Sequence, residues 1–111
     1  MKEKKTLHLT LSKKPFEVMV TGEKPEEFRK PSDWIESRLF NKDGSKKEYD
    51  LVKFVNGYGA DKPYFSAIYG GFFPSIINKT VQYSNGLKVD VEPGDYVLML
   101  GDIIETGNLK P

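Results

Sequence analysis

The sequence predicts an α+β domain, a mixed β-barrel, open or closed, with two short covering helices. Three observations carry this reading. Apolar and polar residues alternate in several short runs along the whole chain. Helical spacing of apolar residues occurs only twice, both times before residue 40. Turn chemistry at Gly22, Asn56-Gly57, Gly70-Gly71, Asn85-Gly86 and Pro93-Gly94 punctuates the rest. The 111 residues fit one domain, 1–111, with one core.

Thr6 to Leu11 alternates, with Leu7, Leu9 and Leu11 on one side, and reads as a half-buried strand. Ser12 is placed to cap a following helix, and Pro15 is tolerated in its first turn. Phe16, Met19 and Val20 fall on one helical face. Gly22 stands where the chain leaves that helix left-handed. Glu26 to Lys30 reads as a short strand ended by Pro31. Ser32 or Asp33 caps a second helix, in which Trp34/Arg38 and Ile35/Leu39 are neighbours one turn apart. Residues 41–47 are a polar loop.

Tyr49 to Asn56 is a strand with apolar side chains on both faces, and Tyr64 to Tyr69 is another. Gly70-Gly71 suggests a bulge or sharp bend. Thr80–Tyr83 and Leu87–Val91 flank an Asn-Gly hairpin signal. Tyr96 to Leu100 is nearly all apolar, as suits a strand covered on both sides, and residues 106–111 are expected to fray. The total is six or seven strands.

Composition excludes several chemistries. There is no cysteine, hence no disulfide and no thiolate metal site, and one histidine argues against a histidine metal centre. No cofactor is expected. No apolar run approaches the roughly 20 residues of a membrane helix. A cytoplasmic protein without membrane contact is expected. Basic and acidic residues number 17 and 16, so no bulk positive charge marks a nucleic-acid binder. The charge is uneven: residues 1–55 hold 13 basic and 10 acidic, residues 56–111 hold 4 and 6. A nucleic-acid contact would use a local patch from the first half.

Residues 22–29 are the place to build one. A turn glycine, Lys24, Glu27 and Arg29 crowd into eight residues. Strand alternation puts Glu27 and Arg29 on one face, and Pro25 biases Lys24 toward extended geometry. The trio makes either a surface ion pair worth about 0–1 kcal/mol or a grip on a ligand. Arg29 offers a planar fork for phosphate or carboxylate, and Lys24 a mobile point charge.

The pattern G-x-K-x-x-E-x-R, filled by Gly22, Lys24, Glu27 and Arg29, resembles the ASCH (activating signal cointegrator homology) domain, a family of PUA-like fold. The Phe54-Val55-Asn56-Gly57-Tyr58 segment and the "LMLGDIIE" run at 98–105 look like a phage and bacterial branch of it, so the likeness spans about Leu7 to Asn108. The resemblance implies a PUA-like barrel with a cleft lined by the motif, and RNA or a modified nucleoside as ligand. Some members are amidohydrolases acting on acetylated cytidine, with a threonine nucleophile at the position of Glu27; a carboxylate does not take over that role unchanged. Ribonuclease activity is also implied for some members.

Three functions follow as expectations. The first is a binding module for RNA or a nucleotide-like small molecule, its site formed by Gly22, Lys24, Glu27 and Arg29, with Asn56 and Tyr58 at the rim. Tyr58 would stack on a base, or else pack on the barrel. The second is an enzyme on RNA or nucleosides, ribonuclease or amidohydrolase-like, with Lys24 and Glu27 in acid-base roles. No Ser/His, Cys/His or metal constellation accompanies it. The third is a protein-interaction module using the aromatic segment 64–73, although alternation assigns most of those rings to the core. Trp34 reads as a core-covering anchor, His8 as an exposed residue, and Lys2, Lys4 and Lys5 as a solubilising tail.

Overall fold

A computed structural model describes residues 4–109. Lys2 of the basic tail and Lys110-Pro111 of the end expected to fray lie outside them. The strands are β1 (Thr6–Leu11), β2 (Glu26–Arg29), β3 (Leu51–Asn56), β4 (Tyr64–Pro74), β5 (Lys79–Gln82), β6 (Lys88–Val91) and β7 (Tyr96–Gly107); the helices are α1 (Lys13–Val20) and α2 (Asp33–Leu39). Five strands form one curled sheet in the order β1-β3-β4-β7-β2, a half-barrel, while β5 and β6 form a separate hairpin. Among the described residues only β1 and β3 run parallel. The fold is therefore α+β, and its two sheet edges are β1 and β2.

Alternation explains which side of this sheet is filled. Leu7, Leu9 and Leu11, Val52 and Phe54, Phe65 and Ala67, and Leu98 all point inward. Phe16 and Met19 of α1 and Ile35 and Leu39 of α2 plug the concave side, with Phe16 and Phe54 both against the Phe65 ring. Each such side chain, fully buried, contributes about 1.5–3 kcal/mol. The opposite phase, including Thr6, His8 and Thr10, faces outward.

Local signals account for the helix ends. The Ser32 hydroxyl accepts from the Ile35 N–H at 3.2 Å and caps α2. Ser12 stands at the N-cap of α1 but its hydroxyl makes no cap bond. Gly22 adopts φ +86°, and its N–H donates to the Met19 carbonyl at 3.0 Å, the left-handed exit expected there.

Several expectations change. β4 continues past Tyr69 to Pro74, and β7 past Leu100 to Gly107. Thr106 and Gly107 do not fray, because they pair with Phe65 and Tyr64. The two strands stay together past Gly70-Gly71 through register shifts, so the bulge bends β4 without ending it. Glycine is needed on both sides of this bend: a Cβ on Gly70 would stand 3.0 Å from the Met99 carbonyl oxygen, and one on Gly101 3.0 Å from Ile68 Cβ. Met99 is about half exposed, so the 96–100 run is not covered on both sides. Tyr49 and Asp50 precede β3. Asp50 Oδ2 instead accepts from the Lys5 N–H at 2.8 Å, aligning the start of β1 with β3.

Candidate functional site

The motif lies at the seam between the two sheet edges. Gly22 turns the chain, and the Lys24 N–H donates to the Val18 carbonyl at 2.9 Å, which directs the lysine side chain inward. Lys24 is only 1% exposed. Its ammonium donates to Glu27 Oε1 at 3.1 Å, to the Glu26 carbonyl and to Met19 Sδ at 3.6 Å. The Phe28 ring stands 5.1 Å away and the Tyr83 ring 6.0 Å, completing a largely apolar sleeve around a charge. Burial, then the charges of Glu26, Glu27 and Glu23, push the Tyr83 hydroxyl up to about 12, so it stays neutral there.

Glu27 is the hub. Oε1 accepts from Lys24 and from the Phe28 N–H at 3.1 Å, and Oε2 accepts from Arg29 Nε at 2.9 Å. Both oxygens are occupied, and the carboxylate is buried. Arg29 then spends one further donor, Nη2, on the Thr10 carbonyl at 2.7 Å. A guanidinium has five N–H donors. Two are engaged, and the head remains about a quarter exposed.

Two hollows meet at Thr10 and Arg29. One, about 470 Å³, is lined by His8, Leu9, Thr10, Arg29, Trp34, Val55 and Tyr58. The other, about 300 Å³, reaches Lys24, Glu27, Phe28 and Pro15. A larger groove of about 690 Å³ lies elsewhere, beside Tyr69 and the Gly70-Gly71 bulge, away from the motif.

The first hollow has an aromatic rim. Tyr58 is 83% exposed and its hydroxyl oxygen makes one long contact, accepting from Thr10 Oγ1 at 3.5 Å. Gly57, at φ +97°, turns the chain so that Tyr58 comes back over β1. Trp34 is 48% exposed, with the Arg38 guanidinium 4.8 Å from its ring. The reading of Trp34 as a core cover is thus corrected: α2 buries Ile35 and Leu39 and turns Trp34 toward the hollow. His8 is exposed, as expected, and its place in this lining was not legible from its own strand.

Of the sequence-selected residues, Arg29 and Tyr58 line this hollow together. Lys24 and Glu27 line the smaller one, behind Arg29. Gly22 lies outside both and sets the chain direction. Asn56 ends β3 opposite Leu11, its N–H bonded to the Pro63 carbonyl at 2.9 Å, and lines neither hollow. In the 64–73 segment, Phe65 and Phe72 are core while Phe73 is 44% exposed.

The turn is braced from outside. The Glu23 carboxylate accepts from the Ser84 N–H at 2.8 Å and from its hydroxyl, which holds the carboxyl below its usual range. Asn85 Nδ2 donates to the Lys14 carbonyl at 2.9 Å. The β5-β6 hairpin tip thereby holds both the first turn of α1, at Lys14, and the turn that follows the helix, at Glu23. Among the described residues no cluster of three His, Asp or Glu is arranged for a metal ion, and no helix is long and apolar enough to cross a membrane.

No family model matches the chain, and no curated protein or solved structure does so either.

Proposed function

We propose that this chain is an ASCH-type, PUA-like domain that binds RNA or a nucleotide-like ligand in the Arg29 hollow, in the cytoplasm. The observation that carries the reading is the state of Arg29. Glu27 and the Thr10 carbonyl hold its fork in place, donors remain free, and the head opens into a hollow bearing the exposed rings of Trp34 and Tyr58. A fixed guanidinium suits a phosphate, and exposed rings suit the face of a base. The charge is prepositioned, so little side-chain entropy is lost on binding.

In this reading Lys24 and Glu27 act on the ligand through Arg29. Lys24 balances the buried carboxylate, and the carboxylate orients the guanidinium. Glu27 is buried and already accepts three hydrogen bonds, two on Oε1 and one on Oε2, which supports a positioning role over acid-base catalysis. The test is a titration of isotope-labelled protein with RNA, tRNA and nucleoside monophosphates. Resonances of Arg29, Trp34 and Tyr58 should shift together in at least one titration; no shift in any of them overturns the reading.

A further inference from the structure

The outer face of the sheet continues from the hollow onto β3 and β4. His8 of β1 pairs directly with Lys53 of β3, and Thr10 pairs with Val55, which pairs with Tyr64 of β4. Paired residues project on the same side, so His8, Lys53 and Tyr64 share the face that carries Thr10 and Val55. The Lys53 ammonium stands 4.2 Å from the centroid of the Tyr64 ring. Among the described residues Lys53 makes no ion pair.

The ring beneath it is itself fixed. Tyr64 pairs with Gly107 of β7, and a Cβ on Gly107 would stand 2.1 Å from a Tyr64 ring carbon. The hydroxyl side of the ring therefore rests against a bare glycine, and the lysine ammonium lies over the ring. Gly107 lets the ring down, the ring's negative face attracts the ammonium, and an otherwise mobile lysine gains a preferred position. Glu105, one strand further, borders the Tyr64 hydroxyl and raises its pKa, which places an acidic limit on this side of the basic strip.

We propose that Lys53, seated on Tyr64, is a second phosphate station of the same site, so that the ligand is a single strand of at least two nucleotides. The inference rests on the reading of the Arg29 hollow as a nucleotide site. One base and its phosphate occupy Trp34, Tyr58 and Arg29; the strand then crosses His8 to bring another phosphate to Lys53. Arg29 of β2 reaches Thr10 of β1 across the seam, and β1 pairs with β3, about 4.8 Å away, where Lys53 stands beside His8; the path between the stations therefore crosses β1 alone.

The experiment compares nucleoside 5′-monophosphates with a single-stranded RNA of roughly six nucleotides, a length within the usual range for such a groove. Affinities are measured over a range of salt. Wild type should bind the oligonucleotide more tightly than any monophosphate. Lys53→Ala should lower the oligonucleotide's log K against log salt slope by about 0.7, the contribution of one single-strand phosphate contact, and leave monophosphate affinity unchanged. Tyr64→Leu keeps the charge and removes the ring face; it should weaken the oligonucleotide alone. Lys42→Ala, in the loop beside a different hollow, should leave both ligands unaffected. Oligonucleotide binding unchanged in both Lys53→Ala and Tyr64→Leu overturns the second station while the hollow stands. An equal loss from Lys42→Ala also overturns it, because bulk charge then explains the effect. Failure of wild type to bind either ligand removes both readings.

Discussion

Arg29 Nη2 donates to the Thr10 carbonyl oxygen at 2.7 Å, and this bond joins the two edges of the five-stranded sheet. β1 and β2 form no ladder with each other; the guanidinium spans the seam between them. The same head faces the aromatic hollow. The group that latches the half-barrel is thus also the proposed ligand contact, and its orientation depends on Glu27 and, behind that, on a buried lysine.

Removing the hub should cost more than removing the lysine. Glu27→Gln leaves the Lys24 ammonium buried without a counter-charge, and losing one partner of a buried pair costs about 3–5 kcal/mol. Lys24→Met replaces the charge with an apolar chain that suits the Phe28 and Tyr83 sleeve, and Glu27 keeps Arg29 and the Phe28 N–H. Urea denaturation should show Lys24→Met losing less than half of what Glu27→Gln loses.

Arg29→Lys keeps the charge and loses the fork. A single ammonium cannot reproduce the Nε bond to Glu27, the Nη2 bond to Thr10 and the free donors together. Stability should fall by about 1.5–3 kcal/mol, the value of a hydrogen bond involving a charged group. Monophosphate affinity, measured by calorimetry, should fall at least tenfold, about 1.4 kcal/mol.

Trp34→Ala and Tyr58→Ala should each weaken ligand binding by about 1–3 kcal/mol, the range for one base stacked on one ring. Both residues are well exposed, so thermal unfolding midpoints should stay close to wild type. A large drop in midpoint would assign these rings to packing.

Lys30 and Asp95 set a pH window. A hydrogen bond from Lys30 Nζ at 2.6 Å, aided by the Glu92 N–H, holds Asp95 below its usual 3.8. Its contribution is present above that value and is lost as pH falls through the lower folded one. The same bond, with lesser help from Glu92, raises Lys30 above 10.5; that contribution is present below 10.5 and is lost as pH rises through the higher folded value. Lys30→Ala should flatten both limbs of a stability–pH profile, with the acid limb read near and below pH 3.8.

Gly107→Ala should destabilise by about 1–3 kcal/mol through overpacking, since the new methyl collides with the Tyr64 ring. The effect should shrink when Tyr64→Ala is already present. A double-mutant cycle on denaturation midpoints measures this coupling; additive losses would show that the ring does not rest on Gly107 in solution.

Local rules go far in this chain. Alternation in Thr6–Leu11 specifies which leucines enter the core, Gly22 and Ser32 mark their helix ends, and period two places Glu27 beside Arg29. All of these relate residues a few positions apart, where backbone geometry alone decides the outcome. The length of β4 and β7 was less legible. Gly70-Gly71 reads as a bulge or sharp bend in isolation, and only the pairing with β7, where Gly70 and Gly101 each accommodate the other strand, shows that β4 runs on through it.

The remainder belongs to tertiary structure. Lys24 looks solvated by composition; its burial depends on Met19, Phe28 and Tyr83 closing around it. Thr10 and Arg29 lie 19 positions apart and meet because β2 pairs with β7 at one end of a sheet that begins with β1. Tyr58, Trp34 and His8 share a hollow for the same reason. Such contacts follow from strand order and sheet curl, which are set by burial summed over the whole core, and no short window of sequence contains that sum.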